Sequence, residues 1–172
     1  MRSWVLLVLI FLTGPAVAAK RYTAPSDADT RVQVSVPWLQ ERSGLDSWSN
    51  LTLWDFTDNP AGELLGIVKF RHKSKDQTVL LRSGRRIQLV MFTLEPSFGQ
   101  TKECGVALTF QPEEAGQYML TFEYPVQIAQ DADGCRSILT DLAATDPSKA
   151  VVAQFTTPAT TRIYKYRVNF SH

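Results

Sequence analysis

Histidine, cysteine and long apolar runs are all scarce in this chain of 172 residues, and each scarcity removes a class of function. Only two histidines are present, His72 inside a basic run and His172 at the end, so a nucleophilic triad has almost no base to draw on. No G-x-S-x-G elbow occurs, and the serine of "LRSGRR" reads as a turn residue flanked by cations. The two cysteines, Cys104 and Cys135, are not a C-x-x-C pair and have no histidine nearby, which argues against redox and zinc sites. No glycine-rich phosphate cradle, internal repeat or low-complexity tract is found. Past residue 12 no apolar run is long enough to span a bilayer, which takes about 20 residues.

The apolar run that does exist lies at the front. "MRSWVLLVLIFLTGPAVAAK" places one cation, Arg2, ahead of Val5 to Leu12, then a Gly-Pro break and small residues. This is the order of a secretory leader with an A-x-A-like cleavage site, so residues 1–19 are expected to be removed, leaving Ala19 or Lys20 first. No cysteine follows the run to carry a lipid anchor. A soluble periplasmic or secreted protein is therefore expected, and in an oxidising compartment Cys104 and Cys135 read as one disulfide. Closing a loop of about 31 residues is worth roughly 3–4 kcal/mol in the chain-entropy treatment. The loss of Arg2 leaves seventeen cations against seventeen anions. No nucleic-acid partner is expected of such a chain.

Residues 20–30 ("KRYTAPSDADT") are polar and broken by proline, and read as a flexible arm. From 31 to 172 period-two alternation dominates, the mark of half-buried strands. "RVQVSV" sets Val32, Val34 and Val36 on one side, and "LTLWDF", "LLGIVKFRH" and "RIQLVMFTL" follow. The last of these is apolar on both faces, as a central strand requires. "CGVALTF" aligns Cys104, Val106, Leu108 and Phe110; "YMLTFEY" aligns Tyr118, Leu120, Phe122 and Tyr124. "CRSILTDL", "VVAQFTT" and "RIYKYRVNF" complete about eight or nine strands. Apart from one turn within "DLAATDPSKAVVAQ", no helical stripe is found. The expected fold is all-β: a single two-sheet antiparallel sandwich with one disulfide.

The turn "Glu114-Ala115-Gly116-Gln117-Tyr118" resembles the tyrosine corner of immunoglobulin-like sandwiches. That likeness implies a Tyr118 ring packed inward and a hydroxyl bonded back to the turn backbone. The pattern departs from antibody domains at Leu120, which stands where that family has its second cysteine, and no Cys…Trp…Cys spacing is present. The run from Cys104 through Tyr118 to Cys135 is also similar to small exported bacterial proteins, a likeness that brings no activity with it. Cysteine-bearing strands two places apart in a flat meander sit about 9.5 Å apart, too far for a disulfide. The two are thus expected to meet across the sandwich or at its rim.

Two features point to binding. Between residues 69 and 86 lie Lys69, Arg71, Lys73, Lys75, Arg82, Arg85 and Arg86 against the single acid Asp76, a local excess of six positive charges. Such a run reads either as a hairpin with a solvated cationic face or as a contact for an anionic surface. Trp38 and Trp48 lie in loop-like surroundings and are candidates for stacking on a sugar or anchoring a partner, whereas Trp54 is expected in the core. Weaker signals stay with the scaffold. Asp131, Asp133 and Gly134 form only half a calcium loop, and Glu95, Glu113, Glu114 and Glu123 show no pairing of the glycosidase kind. The sequons at Asn50 and Asn169 matter only in a eukaryote. The alternating end "RIYKYRVNF" is read as a paired strand, with strand addition to a partner held as a remote alternative.

The reading is an exported binding, accessory or inhibitor-type protein with no catalytic residues, no metal and no cofactor. Its expected partner is another envelope protein or an anionic glycan or lipid surface. The alternatives are a small secreted hydrolase and a structural subunit joined through strand edges.

Overall fold

Period-two alternation becomes ten strands in a computed structural model that describes residues 20–41, 47–97, 100–130, 132–146 and 150–163. In chain order these are β1 Thr30–Ser35, β2 Trp48–Asp55, β3 Glu63–Phe70, β4 Asp76–Leu81, β5 Ile87–Ser97, β6 Gln100–Phe110, β7 Gln117–Ala129, β8 Ala132–Asp141, β9 Val151–Pro158 and β10 Thr160–Ile163. A four-residue helix, α1 (Trp38–Glu41), and a 3-10 turn (His72–Ser74) lie between them. The strands form two five-stranded sheets, ordered β4-β1-β7-β8-β9 and β10-β6-β5-β2-β3. The expected two-sheet sandwich is the fold.

The alternating faces meet between the sheets. Val32, Val34, Val36, Leu51, Leu53, Phe70, Leu89, Met91, Val106, Leu108, Leu120, Phe122 and Leu139 are all buried there. β5, apolar on both faces in the sequence, is the middle strand of its sheet. Trp54 departs from its expected place. Leu51, Leu53 and Asp55 point inward, and Trp54, beside an irregularity in the β2–β3 register, falls half-buried on the outer face.

Three further differences arise from connectivity, which alternation does not report. Among the named strands every pairing is antiparallel except β1 with β7, which run parallel in the middle of their sheet because the chain crosses through the opposite sheet between them. β4 ("DQTVLL") is a strand where only a cationic run was seen. Finally, 69–86 is no hairpin: β3 pairs with β2 in one sheet and β4 with β1 in the other, so the segment is a crossover between the two. The expected strand over 162–170 is described only to Ile163, as part of β10 paired with β6; residues 164–172 lie outside the described residues.

Cys104 of β6 and Cys135 of β8 are bonded, Cα to Cα 6.0 Å, and belong to opposite sheets. The meander that forbade the bond is absent because β6 never joins the sheet of β7 and β8. At the far end of β7, Tyr118 lies buried against Phe110 with ring centroids 5.3 Å apart, and the Glu113 N–H donates to its hydroxyl at 3.1 Å. Ala115 takes a positive φ of 56° in this turn. A Cβ at Gly116 would meet the Tyr118 ring at 2.6 Å. The ring thus packs over a position that only glycine fills.

Candidate functional site: a basic corner and its groove

The crossover distributes the seven cations between two ends of the molecule. β4 separates them by six residues, about 20 Å at the usual rise per residue. At the 82–86 end two of the three arginines are paired with aspartates. Arg82 Nε meets Asp27 at 2.6 Å, and Arg85 meets Asp55 and Asp58 at 2.8 Å each. The Arg86 guanidinium sits 5.8 Å from the centre of the Phe56 ring. Hydrogen bonds from Arg82 hold the Asp27 carboxyl below its ordinary range; those from the Ser83 hydroxyl and then its N–H do the same for Asp29. Burial of Asp55 acts the other way, but bonds from Thr57 and Arg85 outweigh it and its carboxyl is also lowered. The Ser83 hydroxyl donates to Asp29 at 2.6 Å, so this serine ties a turn to β1 and faces no base.

At the other end Lys69, Arg71 and Lys73 are exposed and make no ion pair among the described residues; Lys75 beside them is half-buried. The one acid of the run, Asp76, accepts a bond from Ser35 at 2.6 Å. The corner backbone is well pinned. Arg71 N–H donates to Ser74 Oγ at 3.2 Å, Ser74 N–H to Arg71 O at 2.8 Å, and Val36 N–H to Lys75 O at 3.0 Å. Gln77 Nε2 reaches across the sheets to Lys69 O at 2.6 Å. His72 is fixed by Nδ1 on the Leu39 carbonyl at 3.1 Å and faces no nucleophile. The backbone groups are satisfied locally, which leaves the cationic side chains to solvent.

A groove of about 540 Å³ adjoins this corner, between the edge strands β3 and β4. Arg21, Tyr22, Ile67, Lys69, Thr78 and Leu80 contribute to its walls, and no acidic side chain lines it. One wall is the arm. Tyr22 N–H donates to Ile67 O at 3.1 Å and Ile67 N–H to Lys20 O at 2.8 Å, and the Tyr22 hydroxyl donates to Leu80 O on the other sheet. Burial pushes the Tyr22 hydroxyl up to about 12, against the pull of Arg82. Sequence reasoning passed over these arm contacts; the signal was Tyr22, the one aromatic in an otherwise polar stretch.

The tryptophans lie elsewhere. Trp38, expected at the surface, is only 5% exposed in α1 and stacks edge-on against Tyr124 at 5.1 Å. β1 ends at Ser35, and Val36 and Pro37 lead directly into α1. Trp48 starts β2, half-buried against Phe92 at 5.9 Å. Trp38 opens the helix whose Leu39 carbonyl holds His72, but its ring is buried, so the two binding signals do not form one exposed surface. Other expected groups are also apart. Glu95 is buried and accepts from Tyr124 Oη at 2.8 Å, whereas Glu123 pairs with Arg136 in the opposite sheet. Asp133 meets Lys102 at 3.3 Å, Asp131 lies outside the described residues, and Gly134 makes room for the Thr157 carbonyl, 2.4 Å from an added Cβ. Among the described residues no three histidine, cysteine or acidic side chains gather as a metal site, and no helix is long and apolar enough to cross a membrane. No protein-family model, curated protein or solved structure matches the chain.

Proposed function

We propose that the chain is an exported, non-catalytic binding protein that holds an anionic glycan, lipid or acidic protein surface against the basic corner 69–75 and the groove beside it. The observation that carries this reading is the contrast between the two halves of one cationic run. Three arginines are matched by aspartates or an aromatic ring at one end, while Lys69, Arg71 and Lys73 stand exposed at the other beside a groove without acids. Unmatched cations on a pinned backbone concentrate anions at low ionic strength and lose hold as salt rises. Export to the periplasm or beyond is part of the proposal, supported by the leader pattern of 1–19 and by the cross-sheet disulfide.

Adsorption to vesicles of anionic and of zwitterionic lipid, followed against salt, tests the reading. The triple variant Lys69→Gln/Arg71→Gln/Lys73→Gln is expected to lose most anionic adsorption and flatten its salt dependence. The matched triple Arg82→Gln/Arg85→Gln/Arg86→Gln is expected to keep most of it, since Arg82 and Arg85 are already paired with aspartates and Arg86 is held over the Phe56 ring. Equal loss in both triples, or no adsorption of the parent protein at low salt, overturns the corner as the contact surface.

A further inference from the structure

Two sheets have four edge strands, and three of these four are guarded. β3 is covered by the arm, through the bridge of Arg21 to Ile67, and carries Glu63 and Lys69. β4 has its Leu80 carbonyl capped by the Tyr22 hydroxyl and begins with Asp76. β10, described over four residues, carries Arg162. Charges, covers and short length are the usual protections of a sheet edge.

β9 has none of these. Val151–Pro158 ("VVAQFTTP") contains no charged residue, and six of its eight residues are exposed. Among the described residues five large apolar side chains are exposed, and three of them belong to β9: Phe155 at 51%, Val151 at 49% and Val152 at 45%; a fourth, Leu142, follows β8. Sheet pairing leaves half the backbone of β9 free. Ala159 N–H bonds Asp133 O at 2.9 Å, so by alternation residues 153, 155 and 157 face β8, while Gln154 and Thr156 turn their N–H and C=O groups outward.

We infer that β9 is a self-association strand, pairing antiparallel with β9 of a second copy of this chain. Charge selects the occupant. An uncharged strand meets no buried charge only against another uncharged edge, and β9 is the sole such edge among the described strands. A two-fold pairing is closed, so it consumes both free edges and presents no new one. It also brings the exposed Phe155 of one copy alongside the uncharged edge of the other. The resulting ten-stranded sheet puts the basic corners, on the opposite side of each sandwich, at the outer flanks.

Sedimentation equilibrium of the purified protein tests this. A mass of two chains is expected at tens of micromolar. Gln154→Pro removes an outward N–H that the monomer does not use, a position where an edge strand tolerates proline. It is expected to weaken the dimer at least tenfold while circular dichroism stays that of a folded sheet protein. Phe155→Lys is expected to do the same by placing like charges face to face, and Leu80→Lys, at the remaining exposed apolar position, is expected to leave the mass unchanged. A parent that stays monomeric to about a millimolar, a dimer indifferent to both β9 substitutions, or open-ended growth in place of a two-chain species overturns the inference. So does capture of a foreign strand that is lost in Gln154→Pro while the parent alone remains a monomer.

Discussion

At Gly66 the backbone has φ +151°, and a Cβ added there would lie 2.5 Å from the Tyr22 Cα. Both the dihedral and the close approach demand glycine, and both serve the same contact, the arm laid on β3. Gly66→Ala must therefore push the arm away or distort the strand. The expected outcome is loss of slow exchange at the Ile67 amide, which donates to Lys20 O at 2.8 Å, and a destabilisation of about 1–3 kcal/mol. An unchanged Ile67 amide would show that the arm does not hold the edge. The arm also illustrates what a sequence leaves unread at this scale. Prolines and polar residues make "KRYTAPSDADT" look unattached, yet backbone bonds at Lys20, Tyr22 and Asp29, the Tyr22 hydroxyl and the Asp27 and Asp29 carboxylates seat it. None of those contacts has a periodicity, and their partners lie more than forty residues away.

At the scale of elements, the strands whose buried faces alternate were legible, and the crossover was not. Val32 to Val36, Cys104 to Phe110 and Tyr118 to Tyr124 alternate because one sheet face meets the other. The turn before Tyr118 was legible too, since Gly116 under a tyrosine ring is a local constraint. β4 was hidden because its flanks are cationic and only Val79 and Leu81 mark its inner face. The partition of charge between its two ends followed from that omission. One end now carries a pH signature. Asp27, Asp29 and Asp55 are all held below the ordinary carboxylate range, so their contribution is present above about pH 4, the unfolded value, and fades as pH falls through the lower folded values. Thermal unfolding is expected to shift downward below pH 4. Arg85→Gln, which strips the cation from the buried Asp55, is expected to cost about 1–3 kcal/mol at pH 7 and to shrink that acid-dependent loss. A variant whose unfolding midpoint falls with acid as steeply as the parent's would contradict the assignment.

For the molecule as a whole, the two sheets are tied along both open sides. On one side the β3–β4 crossover is reinforced by Gln77 Nε2 on Lys69 O and by Tyr22 spanning from Ile67 to Leu80. On the other the β9–β10 crossover at Pro158 and Ala159 is reinforced by the Cys104–Cys135 bond between β6 and β8. Between these ties lies a core of aliphatic and aromatic side chains, which resists the sliding of one layer on the other but not a local opening at a rim. The disulfide side is the less protected of the two, since β9 is largely exposed and pairs, at the edge of its sheet, with β8 alone among the described strands. Removing the bond with Cys104→Ala and Cys135→Ala releases a separation of 31 residues in the unfolded chain and is expected to cost about 3–4 kcal/mol. For a domain of this size that lowers the unfolding midpoint by on the order of 10 °C. The loss is expected to be uneven. Amides of β9 and β10 should exchange fastest in the double variant while those of β3 and β4 keep their rates, because only one of the two side ties has been cut. Uniform acceleration across both sides would mean that the layers open as one unit and that the disulfide acts on the unfolded chain alone.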